Sequence, residues 1–141
     1  MKVELDAPEL RSLLDDPSPA ALTLYRDDGQ ATTSPVWFRF KDDAFEVVVA
    51  ATDRKIGLLR RDPRCVLLIF EAAPPFRGVE VRGEATIEPD EGARTRLAIA
   101  TRYLGRQAGH VYADLARRPP GFVVRLPIRA ARAWNLADKL P

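Results

Sequence analysis

The segment Thr52-Asp53-Arg54-Lys55 combines a hydroxyl group and two cations at the expected start of a short helix. Cations in a first helical turn face the positive end of the helix dipole, at a cost of about 0.3 to 1 kcal/mol each. An anion held by Thr52, Arg54, Lys55 and backbone N–H groups would reverse that cost, as in many phosphate sites. Alternatively, the two cations extend into solvent and pair with Asp53 or Glu46. The segment therefore indicates either a phosphate site or a local cluster of ion pairs.

The run Ser34-Pro35-Val36-Trp37-Phe38 places a proline and two adjacent aromatic residues in one expected strand. Proline donates no backbone hydrogen bond, so it occurs in edge strands, at strand starts or at bulges. The backbone near Pro35 is therefore expected to lack a neighbouring strand, which leaves space for a flat ring. The alternative is that Trp37 and Phe38 are core residues of a barrel, the usual role of aromatic pairs on strands.

The residue inventory argues against several other kinds of chemistry. The chain has one Cys and one His, too few for the ligand set of a structural zinc site, and no metal site is expected. None of its serines occurs in a Gly-x-Ser-x-Gly segment, so a serine hydrolase is not indicated. His110 and Tyr112 are possible helpers in a reaction, but a lone His at a helix edge is more often structural. The catalytic residues stay unassigned.

The length of the chain indicates one domain, and its net charge does not indicate a strongly charged partner. The 141 residues are 46% hydrophobic, enough for one core, and we treat 1–141 as a single domain. The 22 Lys and Arg nearly balance the 20 Asp and Glu, and a net charge of +2 favours neither a nucleic acid nor a membrane as partner. The N-terminus lacks an apolar signal region and the longest apolar run is only 65–70. The expected location is the cytoplasm.

Hydrophobic spacing predicts an N-terminal helix and lead-in over 1–20. This helix is expected to begin with Asp6 as its cap and to end before Pro17. Three further helical segments are expected: one capped by Thr52 or Asp53 and ending at Asp62, one from Asp90 to Gly105 with an apolar stripe of Leu97, Ala100 and Leu104, and a short one within 110–118.

Apolar runs predict the strands of a barrel over residues 21–136. A turn at Asp27-Asp28-Gly29 joins the first two strands as a hairpin. The fold class expected is mainly β, of the α+β type, with six to seven antiparallel strands and short helices rather than a parallel sheet. The predicted strands lie within 21–25, 31–40, 45–49, 65–70, 79–88, 122–126 and 132–136.

The order of several short motifs resembles a known superfamily. In chain order these motifs are Pro35-Val36-Trp37-Phe38, an apolar strand leading into Thr52-Asp53-Arg54-Lys55, and Leu59-Arg60-Arg61-Asp62-Pro63-Arg64. Together they resemble the pyridoxamine 5′-phosphate oxidase-like split-barrel superfamily. The branch of small flavin and deazaflavin oxidoreductases is the most similar. The resemblance continues through residues 77–85 and Arg102-Tyr103-Leu104-Gly105, and it covers roughly residues 20–136.

The resemblance implies a split β-barrel that forms a homodimer, with one cofactor site per subunit at the interface. It implies that Thr52, Arg54 and Lys55 surround the cofactor phosphate. The ring would lie against the strand that contains Pro35, Val36 and Trp37. The partner subunit would contribute the loop around Phe76 and Arg77.

Two departures from the superfamily pattern narrow the expected activity. Gly57 and Leu58 stand where members often have Arg and Asn, so one polar contact to the cofactor tail is missing. Residues 45–50 read Phe-Glu-Val-Val-Val-Ala, whereas true pyridoxamine-phosphate oxidases carry Arg-x-Val-Leu-Leu-Lys. Oxidation of vitamin B6 is therefore the less expected activity.

The function implied is an oxidoreductase that transfers a hydride between a deazaflavin (F420) or FMN ring and a small-molecule substrate. The cofactor would carry the chemistry, while the protein supplies position and electrostatics. Two alternatives stay open. One is an FMN-binding reductase or pyridoxamine-phosphate oxidase-like protein, and the other is a split-barrel protein that binds a flavin or haem without turnover.

Overall fold

Nine β-strands and four α-helices occur within residues 7–115 and 120–141, the part of the chain that the computed structural model describes. Two turns of 3₁₀ helix, Glu91–Ala93 and Ala137–Lys139, occur in addition. In chain order the elements are α1 (Pro8–Asp15), β1 (Ala20–Tyr25), β2 (Ala31–Val36), β3 (Arg39–Lys41), β4 (Ala44–Ala50), α2 (Arg54–Arg61), β5 (Arg64–Phe70), β6 (Gly78–Glu84), β7 (Thr86–Pro89), α3 (Arg94–Leu104), α4 (Arg106–Leu115), β8 (Gly121–Pro127) and β9 (Ala130–Trp134).

The strands form two sheets, β2-β1-β5-β6-β9 and β3-β4-β8-β7, in which every pair is antiparallel. The predicted α+β class and the antiparallel pairing are therefore confirmed. The predicted hairpin is also present, since Arg26 donates a backbone hydrogen bond to Gln30 and β1 pairs with β2. Pro35 lies in β2, an edge strand, as its missing N–H predicts.

The core lies between the inner faces of the two sheets. In the five-stranded sheet Leu67 pairs with Leu22 on one side and with Val81 on the other, and each of the three is 2% exposed or less. The four-stranded sheet contributes Phe45 and Val124 to the same cluster. Alternate residues of each strand face this cluster, so register decides which side chains are buried.

The predicted count of six to seven strands is wrong, because two predicted strands each divide between the sheets. Residues 31–40 form β2 and β3, separated at Trp37 and Phe38, where the Phe38 N–H donates to the Tyr103 hydroxyl at 3.2 Å instead of to a strand. Residues 79–88 form β6 and β7, separated at Ala85, whose N–H donates to the Pro63 carbonyl. At both breaks the chain passes from the five-stranded sheet to the four-stranded one.

The helices largely follow the predicted segments. Helix α1 ends at Asp15 as expected, and the Arg102 guanidinium donates to the carbonyl oxygens of Leu14, Asp15 and Asp16 at its C-terminus. This contact fixes the N-terminal helix to α3. Gly105 ends α3 at φ +85°, also as expected.

Other helix predictions need correction or lie outside the described residues. Asp6, the predicted cap of α1, is outside them, as is the part of the predicted 110–118 segment beyond Leu115. Helix α4 begins earlier than predicted, at Arg106. None of the helices within the described residues is long and apolar enough to cross a membrane.

Candidate functional site

A cleft of about 620 Å³ opens where β2, β4, α2, α3 and α4 meet. Its volume is within the range of roughly 300 to 1,000 Å³ that small-molecule sites occupy. The lining residues are Pro17, Pro19 and Ala20 before and in β1, Pro35, Val36 and Trp37 at the end of β2, Val47, Val48, Val49 and Ala50 of β4, Asp53 and Lys55 of the α2 start, and Arg96, Ile99, Tyr103 and Tyr112 of α3 and α4.

Asp53 and Lys55 form one charged end of this cleft. Asp53 is the N-cap of α2, and its carboxylate accepts a hydrogen bond from the Lys55 backbone N–H at 2.9 Å. The Lys55 ammonium lies 3.4 Å from the other oxygen of the same carboxylate. The negative charge of Asp53 therefore offsets the positive helix end, and the alternative in which Lys55 pairs with Asp53 is what the structure shows.

The remaining predicted phosphate residues lie outside the lining of the cleft. Thr52 and Arg54 are exposed, and neither borders it. Glu46, the other partner considered for these cations, instead accepts from Arg39 at 2.7 Å and lies 3.6 Å from Arg125. The structure thus brings only Lys55 of the three predicted phosphate ligands into the cleft.

Arg96 is a second cation of the cleft, and the sequence analysis missed it. Only 8% of this residue is exposed. The Asp90 carboxylate accepts hydrogen bonds from the backbone N–H groups of both Thr95 and Arg96. Gly121 of β8 makes room for the side chain, because a β-carbon there would lie 2.8 Å from Arg96 Nη2. Val48 also packs at this point, since its Cγ1 would lie 2.9 Å from the same β-carbon.

The face of α3 that is buried differs from the predicted apolar stripe, and this difference explains why Arg96 was not predicted. Leu97 is half-buried and Leu104 is exposed, so the stripe of Leu97, Ala100 and Leu104 is wrong except at Ala100. The face turned inward carries Arg96, Ile99, Ala100 and Tyr103. An arginine spaced three and four residues before Ile99 and Ala100 was the available signal for a buried cation.

Trp37, Tyr103 and Tyr112 form the aromatic end of the cleft. The Trp37 ring centroid lies 5.1 Å from that of Tyr103, with an angle of 10° between the planes, and 5.1 Å from that of Tyr112, at 50°. The Tyr103 hydroxyl donates to the Ser18 carbonyl at 3.0 Å and accepts the Phe38 N–H. Burial raises the pKa of Tyr103, so this phenol stays protonated near neutral pH.

Of the Trp37-Phe38 pair, Phe38 is a core residue and Trp37 borders the space where a ring could lie. Phe38 is completely buried and packs against Phe45, as a core residue does. Trp37 is half-buried and lines the cleft, together with Pro35 and Val36. The edge strand β2 therefore ends beside the cleft, at Val36.

Phe76 and Arg77 do not line the cleft of their own subunit. The Arg77 guanidinium donates to both carboxylate oxygens of Glu71, at 2.9 and 2.8 Å, and this pairing lowers the pKa of Glu71. Arg77 also donates to the Glu9 carbonyl of α1. Phe76 is 37% exposed in the loop between β5 and β6. A contribution of this loop to a partner's site stays a prediction.

His110 and Cys65 lie outside the cleft. His110 is exposed on α4 and does not border the cleft, whereas Tyr112, two residues further on, does. Cys65 is buried in β5, and burial raises the pKa of its thiol to about 12. Its thiolate is therefore scarce at neutral pH.

Comparison with known proteins identifies both a family and structural relatives. The family model described as pyridoxamine 5′-phosphate oxidase matches residues 7–135. No significant match to a curated protein sequence was found.

Solved structures share this fold over most of the chain. A conserved hypothetical protein from Mycobacterium tuberculosis is 25% identical, with a TM-score of 0.80 over 99% of this chain and 91% of that one. A protein described as an F420 reductase is 22% identical, with a TM-score of 0.71 over 86% of this chain and 94% of that one. An FAD-binding protein from Mesorhizobium loti is 20% identical, with a TM-score of 0.66 over 92% and 94%.

Proposed function

The chain belongs to the pyridoxamine 5′-phosphate oxidase-like split-barrel family, and from that premise we propose that it is an oxidoreductase that binds a redox cofactor in the cleft. It transfers a hydride between an F420 or flavin ring and a small-molecule substrate. The observation that carries the proposal is that one cleft of suitable size joins a cationic end to an aromatic end. The expected cytoplasmic location belongs to the same proposal.

The cationic end fits the phosphate of such a cofactor. Lys55 and Arg96 reach the cleft from the first turns of two different helices, whose ends already hold the carboxylates of Asp53 and Asp90, so the two side-chain cations are the groups that would attract a phosphate. Asp53 would compete with a phosphate for Lys55, so binding would require the Lys55 ammonium to exchange a 3.4 Å contact for a closer one. We retain Thr52 and Arg54 as proposed contacts from the exposed rim of the same turn.

The other end of the cleft fits a flat ring. Pro35 and Val36 lie at the sheet edge, and the aliphatic side chains of Val47 and Ile99 complete an apolar wall. Trp37 is already stacked on Tyr103, so the ring would lie beside this aromatic pair rather than between its members. When bound, the ring would supply or accept the hydride.

We further propose that the functional unit is a homodimer formed through the outer face of the five-stranded sheet. Val66 and Leu68 are half-buried on this face, and Glu80 beside them is paired with two arginines. Leu68 lies opposite Ala21, which in turn lies opposite Pro35 at the cleft. A second copy on this face would therefore border the cleft, and its Phe76-Arg77 loop is the segment that we propose to contribute to the site.

The identity of the cofactor is proposed as F420, with FMN as the second candidate. Structural neighbours described as an F420 reductase and as an FAD-binding protein support a deazaflavin and a flavin, respectively. Non-catalytic haem binding is the remaining alternative; within one subunit the described lining of the cleft includes no His, Cys or Met, the commonest side chains that bind haem iron.

Titration of the purified protein with F420 and with FMN tests the proposal. Calorimetry should show saturable binding of one of them at one site per chain, and spectra of the purified protein should lack the Soret band of haem. Single-turnover mixing of the loaded protein with a hydride donor or acceptor then tests transfer. Failure to bind either cofactor at micromolar concentration would refute the proposed function.

A further inference from the structure

A second concave surface, the α3–α4 groove, adjoins the cleft where the two helices meet. It is shallow and open to solvent, with a volume of about 730 Å³. It is bounded by Leu104, Val111, Tyr112 and Leu115, with the backbone of Gly105 between the helices. Its walls are therefore mostly apolar.

Exposed apolar side chains are concentrated at this groove. The described residues include five large apolar side chains that are exposed, and four of the five border it. Val111 is 56% exposed and Leu115 is 81% exposed. Single exposed apolar residues are ordinary, but a cluster of them on one concave surface marks a binding site.

Two glycines lie where α3 and α4 meet. A β-carbon added at Gly105 would meet no atom within 4 Å, so the junction between the helices is open space. At Gly109, by contrast, an added β-carbon would lie 2.6 Å from the Thr101 Cα, so α4 packs closely on α3. The crossing of α4 on α3 is therefore close, and the groove lies beside it.

Tyr112 connects the groove to the cleft. Its side chain borders both spaces, and its ring centroid lies 5.1 Å from that of Trp37. A molecule in the groove would therefore lie on the far side of one tyrosine from the aromatic end of the cleft. This continuity favours a ligand that extends from one space into the other.

We propose that the α3–α4 groove binds the apolar part of the substrate, an inference that rests on the proposed function. The substrate class is a largely apolar molecule, with one hydrogen-bond acceptor or anionic group at the end that faces Arg106 and Gln107. Its reactive end reaches past Tyr112 into the cleft. A strongly polar substrate would leave Val111 and Leu115 exposed to water.

Binding of N-phenyl-1-naphthylamine, a neutral fluorescent apolar probe, tests the groove in the full chain without cofactor. We expect saturable fluorescence enhancement with one site per chain. Val111→Glu should lower the affinity for the probe at least tenfold, because a carboxylate in the groove must remain hydrated. His110→Glu is the matched control: it adds the same charge at an exposed position of the same helix outside the groove, and should leave affinity unchanged.

The outcomes separate the groove from the proposed function. Equal losses in the two variants, or no saturable probe binding, would overturn the groove. Sedimentation that shows Val111→Glu turning a dimer into a monomer would instead assign this surface to a second copy of the chain and overturn the substrate site. If the protein binds the probe but neither F420 nor FMN, the proposed function fails. The groove then still binds apolar molecules, but it is not a substrate site.

Discussion

At the scale of single residues, Lys55 tests the phosphate end of the cleft. We expect Lys55→Ala to weaken cofactor binding by roughly 1.5 to 3 kcal/mol, the usual contribution of a charge-assisted hydrogen bond. Calorimetric titration with the cofactor measures this loss. Lys41→Ala is the control, because Lys41 is an exposed cation of β3 outside the cleft, and its loss should not change the affinity.

The stability of the Lys55→Ala apoprotein distinguishes binding from a structural role. The pair with Asp53 is partly exposed, at 21% and 34% of the two side chains, so its loss should cost less than about 1 kcal/mol of unfolding free energy. An apoprotein destabilised well beyond this, with cofactor affinity intact, would make Lys55 a structural ion-pair partner.

Lys55 was detectable from the sequence, whereas Arg96 was not. Lys55 belongs to a run of four residues whose types suggest a helix start, so local chemistry is sufficient to single it out. The position of Arg96 depends on Gly121, which is 25 residues away and gives the guanidinium its space. A contact between residues so distant in the chain leaves no local pattern.

At the scale of elements, two glycine-to-alanine substitutions test the packing of α4 on α3. Gly109→Ala should cost about 1 to 3 kcal/mol of unfolding free energy, because its β-carbon would overlap the Thr101 backbone. Gly57→Ala, in α2, meets no atom within 4 Å and should stabilise by about 0.5 to 1 kcal/mol. Chemical denaturation of both variants gives the comparison. Equal effects of the two substitutions would contradict the close helix crossing.

The sequence predicted the elements better than their assignment to sheets. The proline in β2, the cap at Asp53 and the glycine after α3 each act through local backbone chemistry, and each prediction is confirmed. The break at Ala85 was missed because side-chain alternation continues across it, and the break at Trp37-Phe38 was missed because it falls inside the continuous apolar run 36–38. Which sheet a strand joins depends on its partner strand, which its own residues do not specify.

At the scale of the whole molecule, the proposed homodimer is tested by sedimentation at micromolar concentration. The expected mass is twice 15.7 kDa. Leu68→Arg should give monomers, because it places a charge in the centre of the proposed interface on the outer sheet face. Thr86→Arg, on an exposed position of the other sheet, should remain dimeric. A wild-type protein that is monomeric throughout would contradict both the dimer and a shared site.

Stability at high pH should depend on Cys65. Burial raises the pKa of this thiol to about 12 from an ordinary value of 9.0, so the unfolded chain loses the proton first as pH rises. Folding stability therefore falls between these values, by about 1.4 kcal/mol per pH unit. Between pH 8 and 10.5, wild type should lose about 2 kcal/mol more than Cys65→Ala in urea denaturation. Parallel losses in the two proteins would show that the thiol is not shielded.

The most direct test of the central claim, that the cleft holds a flat redox cofactor beside Trp37, is tryptophan fluorescence during cofactor titration. Trp37 lines the cleft, whereas Trp134 lies on β9 over Gly78, outside it. We expect the cofactor to quench wild-type fluorescence, Trp37→Phe to remove most of that change, and Trp134→Phe to remove little. Long-range energy transfer to the ring would act on both indoles, so the contrast between the variants is the decisive quantity. Equal loss of quenching in the two variants would contradict the placement of the cofactor in this cleft.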